Sequence, residues 1–346
     1  MHQGLESGNL LRERYEILGL IGQGGMGAVY KAADRRLPGR LCAIKEIWPP
    51  SGISAEALTQ AREQFLREAS TLARLDHPNL PKVSDYFTLT PAETVDQGTG
   101  NSTAFTATRD YLVMDYVPGQ DLHQLTQQAR REGQFLDGRE VLGWMGQLCD
   151  ALSYLHNQDP PVLHRDIKPA NVKLTPAGRI KLVDFGLVKP LDPEDPKTLT
   201  GLRGIGSLPY TPIEQYAGDL GHTDTRSDLY SLGATLYHLL TGNPPASAQD
   251  RFLEPESLIR PRQVNPAISP AVERAVLAAL ALHPKERPAS VAAWSKLLLG
   301  DAPTVPVSIG PQGAGWSQAL RENWWLLLLA LAVIATAVGV TFAQPF

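Results

Sequence analysis

The chain has 346 residues, 43% of them hydrophobic and 20% charged, with a formal net charge of −4. That is enough apolar material for a sizeable core and enough charge for a wettable surface, which excludes disorder as the dominant state. The mild acidity gives no support to nucleic-acid binding. The two cysteines, Cys42 and Cys149, exclude a disulfide scaffold and favour a reducing compartment.

The N-terminus lacks the apolar stretch of a signal peptide. Residues 17–30 read as strand, turn, strand around Gly22, Gly24, Gly25 and Gly27. Glycines at this spacing let the backbone approach a ligand and aim amides at phosphate oxygens. A dinucleotide-binding fold would open a helix directly after them, with an acid about 20 positions on. Here residues 28–32 read as a second strand and 41–47 as a third, with Lys45 on it between the apolar Cys42, Ile44 and Ile47.

Residues 56–75 have helical periodicity, with Phe65, Ala69, Leu72 and Leu75 on one stripe. Glu68 lies where it could face inward toward Lys45, with Glu63 as the competing candidate. Residues 88–110, rich in Thr with Gly and Pro, read as a long surface loop between two strands. A strand and connecting segment follow at 111–122, and from there to 299 the pattern is mainly helical. Two polar clusters interrupt it: His164-Arg165-Asp166 with Lys168 and Asn171, and Asp184-Phe185-Gly186. Residues 300–323 form a Gly/Pro-bearing linker.

Residues 324–342 are 19 consecutive positions without a charge. At helical rise they extend about 28 Å, close to the thickness of a bilayer core. Trp324 and Trp325, just after Arg321, suit an interfacial anchor. A single transmembrane helix is expected, in preference to a buried C-terminal helix, with only residues 343–346 beyond it.

The glycine loop followed by Ala43-Ile44-Lys45, the HRDxKxxxxN run from His164 to Asn171, and the Asp-Phe-Gly at 184–186 together resemble the eukaryotic-like (Hanks-type) protein kinases. GQGGMGAVY and the segment 222–242 look closest to the bacterial membrane-anchored Ser/Thr members. The resemblance covers residues 15–299 and implies an α+β bilobal fold. Its N-lobe, 15–114, would be an antiparallel sheet plus one helix, the hinge 115–118, and the mainly helical C-lobe 119–299.

It further implies ATP with Mg²⁺, Mn²⁺ being a possible substitute, and roles for named residues. The nucleotide would lie against Gly22, Gly24, Gly25, Gly27, Val29 and Ala43, with Lys45 on its α- and β-phosphates and Glu68 holding Lys45. Met114 would stand behind the adenine, Asp115 and Val117 would offer backbone hydrogen bonds, and Asp121 would approach the ribose. Asp166 would orient the acceptor hydroxyl, Lys168 would meet the γ-phosphate, and Asn171 and Asp184 would ligate metal. Ser207 would contact Asp166 and Lys168, Glu214 would pair with Arg287, and Asp228 would brace the catalytic loop, with His164 structural.

Three positions depart from the family pattern: Lys173 in place of an apolar adenine floor, and Pro212 and Ile213 ahead of Glu214. The Lys173 stem is expected to cover the base with its amine reaching water. Thr198 and Thr200 are the candidate regulatory phosphosites, with Arg165 to receive a phosphate.

The expected function is transfer of the ATP γ-phosphate to Ser/Thr hydroxyls of proteins, including the chain itself, from the cytoplasmic face of a bacterial inner membrane. A homodimer through the N-lobe is a further expectation, and no nucleic-acid partner is expected. The alternatives are a membrane-bound pseudokinase scaffold without turnover and a small-molecule kinase of the same fold.

Overall fold

The computed structural model describes residues 4–24, 27–48, 55–90, 95–96, 102–103, 108–184, 205–216 and 224–300, without the side chains of 55–58, 61, 64, 68, 95–96, 102–103 and 205–206. The N-terminal part is built on one sheet. Its strands are β1 (Leu10–Leu11), β2 (Tyr15–Gly24), β3 (Gly27–Asp34), β4 (Leu41–Ile47), β5 (Val83–Leu89), β6 (Val95–Asp96), β7 (Ser102–Thr103) and β8 (Arg109–Asp115). Their order is β5-β8-β4-β3-β2-β1-β6-β7, and every pair is antiparallel. Helix α1 (Ala55–Arg74) turns Phe65, Ala69 and Leu72 into the core, the stripe its periodicity predicts.

Register decides which side chains share a face, because successive strand residues point opposite ways. Val29 opposes Lys45, which opposes Leu112, while Ala43 opposes Met114, so these residues line the face toward the cleft. Tyr30, Ile44 and Val113 line the other face. That outer face is no bare surface. Leu5, Leu11, Tyr15, Trp48 and Phe87 close over it in a second apolar cluster. Residues 4–14, ahead of the expected domain start, are therefore part of the lobe.

The expected loop 88–110 needs correction at both ends. Strand pairing runs through Thr88↔Asp110 and Leu89↔Arg109, and β6 and β7 lie within the segment. Its threonines are β-branched and suit strands, a preference that the Gly and Pro signals masked.

The C-terminal part is a helical layer around a small sheet, β9 (Gln120–Asp121), β10 (Val172–Leu174) and β11 (Ile180–Leu182), in the order β11-β10-β9. Its helices among the described residues are α2 (Leu122–Arg131), α3 (Gly138–His156), α4 (Thr225–Thr241), α5 (Ala248–Leu253), α6 (Pro261–Val264), α7 (Pro270–Ala279) and α8 (Val291–Leu299). Helix α4 is buried from Ser227 to Thr241, so it forms the axis of this lobe. Asp224 caps its start by accepting the Arg226 amide, and Gly242 ends it with φ 74°, the left-handed turn that glycine adopts without strain. Both cysteines are free and buried.

Among the described residues no helix is long and apolar enough to cross a membrane. The expected span 324–342, and the linker from 301 on, lie outside the described residues.

Candidate active site

Two strand-borne elements meet at the cleft. Lys45 projects from β4, and its ammonium forms an ion pair with the Asp184 carboxylate, just past β11. Asp184 has φ 60° and Arg165 has φ 68°, a left-handed conformation uncommon outside glycine and a mark of functional segments. Desolvation pushes the Asp184 carboxyl up, but the charge and hydrogen bond of Lys45 outweigh it and hold the group below the ordinary carboxylate range.

Asp166 is held from two sides. Lys168 Nζ donates to its Oδ2 at 2.9 Å, and Asn171 Nδ2 donates to the same oxygen at 2.9 Å and to the Asp166 carbonyl at 2.8 Å. The Lys168 ammonium also donates to Ser207 Oγ at 2.9 Å, which ties the catalytic loop to the segment beyond it. With its amide nitrogen committed, Asn171 keeps its amide oxygen as an acceptor. That oxygen and the Asp184 carboxylate are hard ligands of the kind Mg²⁺ takes, alongside water and phosphate oxygens, so the residues present fit the ion.

The loop itself is fastened from below by Asp228, on the first turn of α4 and 1% exposed. Its Oδ2 accepts the His164 amide at 2.8 Å and its Oδ1 accepts the Arg165 amide at 2.8 Å. The ring Nε2 of His156 lies 2.9 Å from Oδ2. Burial raises the Asp228 carboxyl, and His156, His164 and the amides bring it below the usual range. His164 is fully buried, which lowers its pKa, as suits a residue that fills the loop. His156 escaped the sequence reading; its place eight residues before His164, at the end of an apolar helix, was the available signal.

An open cleft of about 870 Å³, solvent-facing space included, is lined by Gly22, Val29, Ala43, Lys45, Met114, Asp115, Val117, Asp121, Asn171, Lys173 and Asp184. Glycine is sterically required in this loop at Gly27, where a Cβ would overlap the Glu46 carbonyl; Gly22 and Gly24 have open space. The Lys173 amine donates to the Gly119 carbonyl at 3.0 Å, at an exposed position. The reason is the register Lys173↔Asp121, which brings β9 and the backbone of Gly119 against β10. Asp121 accepts the Gln124 amide at 2.8 Å as the cap of α2, so one carboxylate oxygen is committed to the fold.

The far side of the site is buttressed by Glu214 and Arg287, joined at 2.7 and 2.9 Å. Nearby, the Tyr210 hydroxyl and His238 Nδ1 share a hydrogen bond of 2.6 Å. Gly25, Phe185, Gly186, Thr198 and Thr200 lie outside the described residues, as does the side chain of Glu68. Glu63, the competing candidate, is exposed.

The comparisons with known proteins agree on one family. The protein kinase domain matches residues 15–296. Serine/threonine-protein kinase B of Synechocystis is 35% identical over 69% of this chain and 39% of its own length. Serine/threonine-protein kinase pkn3 of Myxococcus xanthus is 34% identical over 83% of this chain and 50% of its own. This chain thus spans half or less of the length of these curated relatives. Among solved structures, the PpkA-294 apo form superposes with a TM-score of 0.66 at 29% identity, covering 85% of this chain and 99% of that one. The Mycobacterium tuberculosis PknI kinase domain superposes with a TM-score of 0.60 at 28% identity, over 86% and 99%. On this match the chain belongs to the protein kinase family, with bacterial serine/threonine-protein kinases among its relatives.

Proposed function

We propose that the chain is an active Ser/Thr protein kinase that moves the γ-phosphoryl group of ATP to protein hydroxyls, its own among them. The observation that carries this reading is the arrangement at Asp166. A carboxylate oriented by both Lys168 and Asn171 sits in one site with the Lys45–Asp184 ion pair.

Phosphoryl transfer needs alignment and charge neutralisation more than covalent help. Asp166 would accept a hydrogen bond from the acceptor hydroxyl and orient its lone pair in line with the phosphorus. Lys168 would place positive charge where the γ-phosphoryl oxygens gather it, and its bond to Ser207 holds it in range of both. Lys45 would neutralise the α- and β-phosphates. Asn171 and Asp184 would hold Mg²⁺, which supplies further neutralisation of the phosphate oxygens when bound. The hydroxyl of Ser207 and the ammonium of Lys168 support a Ser/Thr acceptor.

The finer parts of the reading rest on sequence. The uncharged stretch 324–342 supports a single membrane anchor, with the catalytic domain on the cytoplasmic side where ATP and Mg²⁺ are found. Tethering would raise the effective concentration of one copy for another, which favours autophosphorylation and pairing through the N-lobe. Membrane pelleting of the full chain beside a chain lacking 324–342 tests the anchor.

The activity is tested by incubating the full chain with Mg²⁺ and labelled ATP beside Asp166→Asn, with the sites mapped by mass spectrometry. Label on Ser or Thr that is absent from the variant supports the kinase. A folded, nucleotide-binding chain that never takes label favours the pseudokinase scaffold.

A further inference from the structure

At the edge of the sheet beside α1 lies a buried acid that phosphoryl transfer does not use directly. Asp110, on β8 opposite Thr88 of β5, is 7% exposed. Its Oδ1 accepts the hydroxyls of Tyr86 at 2.8 Å and Thr88 at 2.7 Å. Its Oδ2 lies 3.3 Å from Nε of Arg62, and Arg62 belongs to α1. Tyr86 also meets α1 through Phe65, with ring centroids 5.5 Å apart.

These contacts divide the labour. The stripe of Phe65, Ala69 and Leu72 holds α1 against the core, but apolar contact is non-directional and leaves the helix free to roll. The ion pair, a charge contact without hydrogen-bond geometry at Nε, joins a point on the helix to a point on the sheet. Asp110 is itself pinned by two hydroxyls of β5, so it is the fixed member and Arg62 the movable one.

Helical phase links the pair to the reaction. Positions 62 and 68 are six residues apart, about 120° around the axis, with Phe65 and Leu72 between them. They border the buried stripe on opposite sides. A roll of α1 that separates Arg62 from Asp110 carries position 68 through the same angle.

We infer that Asp110 is a positioning residue: through Arg62 it sets the rotation of α1, and with it the place of Glu68 relative to Lys45. The inference rests on the kinase reading above for its catalytic consequence, and on the Arg62–Asp110 geometry alone for its structural one.

The test uses the full chain with Asp110→Asn, Arg62→Met, Arg62→Lys and the double variant. Asp110→Asn keeps an oxygen for Tyr86 and Thr88 and removes the charge. Both single neutral variants should lower kcat by about five- to tenfold with a smaller change in KM for ATP. The double variant should be no worse than either single one, and Arg62→Lys should recover most of the loss. Melting temperatures should stay within about 2 °C of the parent. Hydrogen exchange across 55–74 should quicken in Asp110→Asn while that of α3 stays the same.

Single variants with parental kcat, or losses that multiply in the double variant, would overturn the inference. So would unchanged exchange in α1. A parent chain that transfers no phosphate, with α1 still loosened in Asp110→Asn, would sink the kinase reading and leave the positioning role standing.

Discussion

Arg287 closes on Glu214 with two nearly equal hydrogen bonds, 2.7 and 2.9 Å long, between side chains 73 residues apart. The pairing is bidentate, the geometry in which a guanidinium fork matches a carboxylate. Ser227 donates to Glu214 Oε1 at 2.7 Å, and Arg287 spends its other donors on the carbonyls of Ala281, Leu282 and Arg226. The Arg287 guanidinium carbon stands over the Tyr230 ring, 5.0 Å from its centroid. Burial pushes the Glu214 carboxyl up, and Arg287 brings it below the ordinary range.

Such a pair reveals its importance when one half is removed. Arg287→Leu leaves a buried, uncompensated carboxylate and three carbonyls without their donor. The expected loss is about 3–5 kcal/mol in urea unfolding. Glu214→Gln keeps an acceptor for Ser227 and should lose less.

Asp228 makes a second test. It holds two consecutive backbone amides at a place where Arg165 stands at φ 68°. Asp228→Asn keeps its shape but offers an NH₂ group to a cluster of donors. A loss of about 1–3 kcal/mol in stability is expected, with a fall in kcat because the Asp166 loop loses its anchor. Thermal melts and steady-state kinetics on one preparation check both.

The glycine loop gives a contrast between neighbours. Gly27→Ala drives a methyl into the Glu46 carbonyl and must shift β3 against β4, the strand that carries Lys45. Gly22→Ala meets open space. The first variant should lose stability by about 1–3 kcal/mol and raise KM for ATP. The second should melt with the parent, whatever it does to nucleotide contact.

Acid should loosen the lobe through His238. Burial, with His123 and Arg130 adding to it, lowers this histidine from 6.5 to about 4. Its Nδ1 lies 2.6 Å from the Tyr210 hydroxyl, and burial favours the neutral ring. The unfolded chain therefore takes up a proton below about pH 6.5 that the folded chain refuses until about pH 4. Stability from this source is complete above pH 6.5 and falls as pH drops, by about 2 kcal/mol at pH 5. His238→Asn should show a smaller drop in melting temperature between pH 7 and pH 5 than the parent chain. An equal drop in both would refute the assignment.

Much of the site is legible in the sequence because its chemistry is local. The His164–Asn171 run places Asp166, Lys168 and Asn171 within hydrogen-bond reach through six residues of loop, and no distant contact is needed to bring them near. The strands carrying Gly22 and Lys45 are likewise legible from alternation and turn signals, whereas the pairing that sets Met114 opposite Ala43 comes from the sheet. Lys173 marks where this stops. Its residue type announced a departure, but its partner, the Gly119 carbonyl, came from pairing across 54 positions.

What the sequence by itself determined is the set of reactive groups and the period of each element, since these depend on residue type and short-range spacing. The bilobal fold was legible through the motifs' resemblance to a known family. The tertiary structure alone decided which distant groups meet. It set Asp110 against Arg62, His156 beneath the catalytic loop and Leu5 over the outer face of the sheet. Each of these contacts is made by side chains brought together by register and packing, and register is a property of the whole sheet, which no single segment encodes.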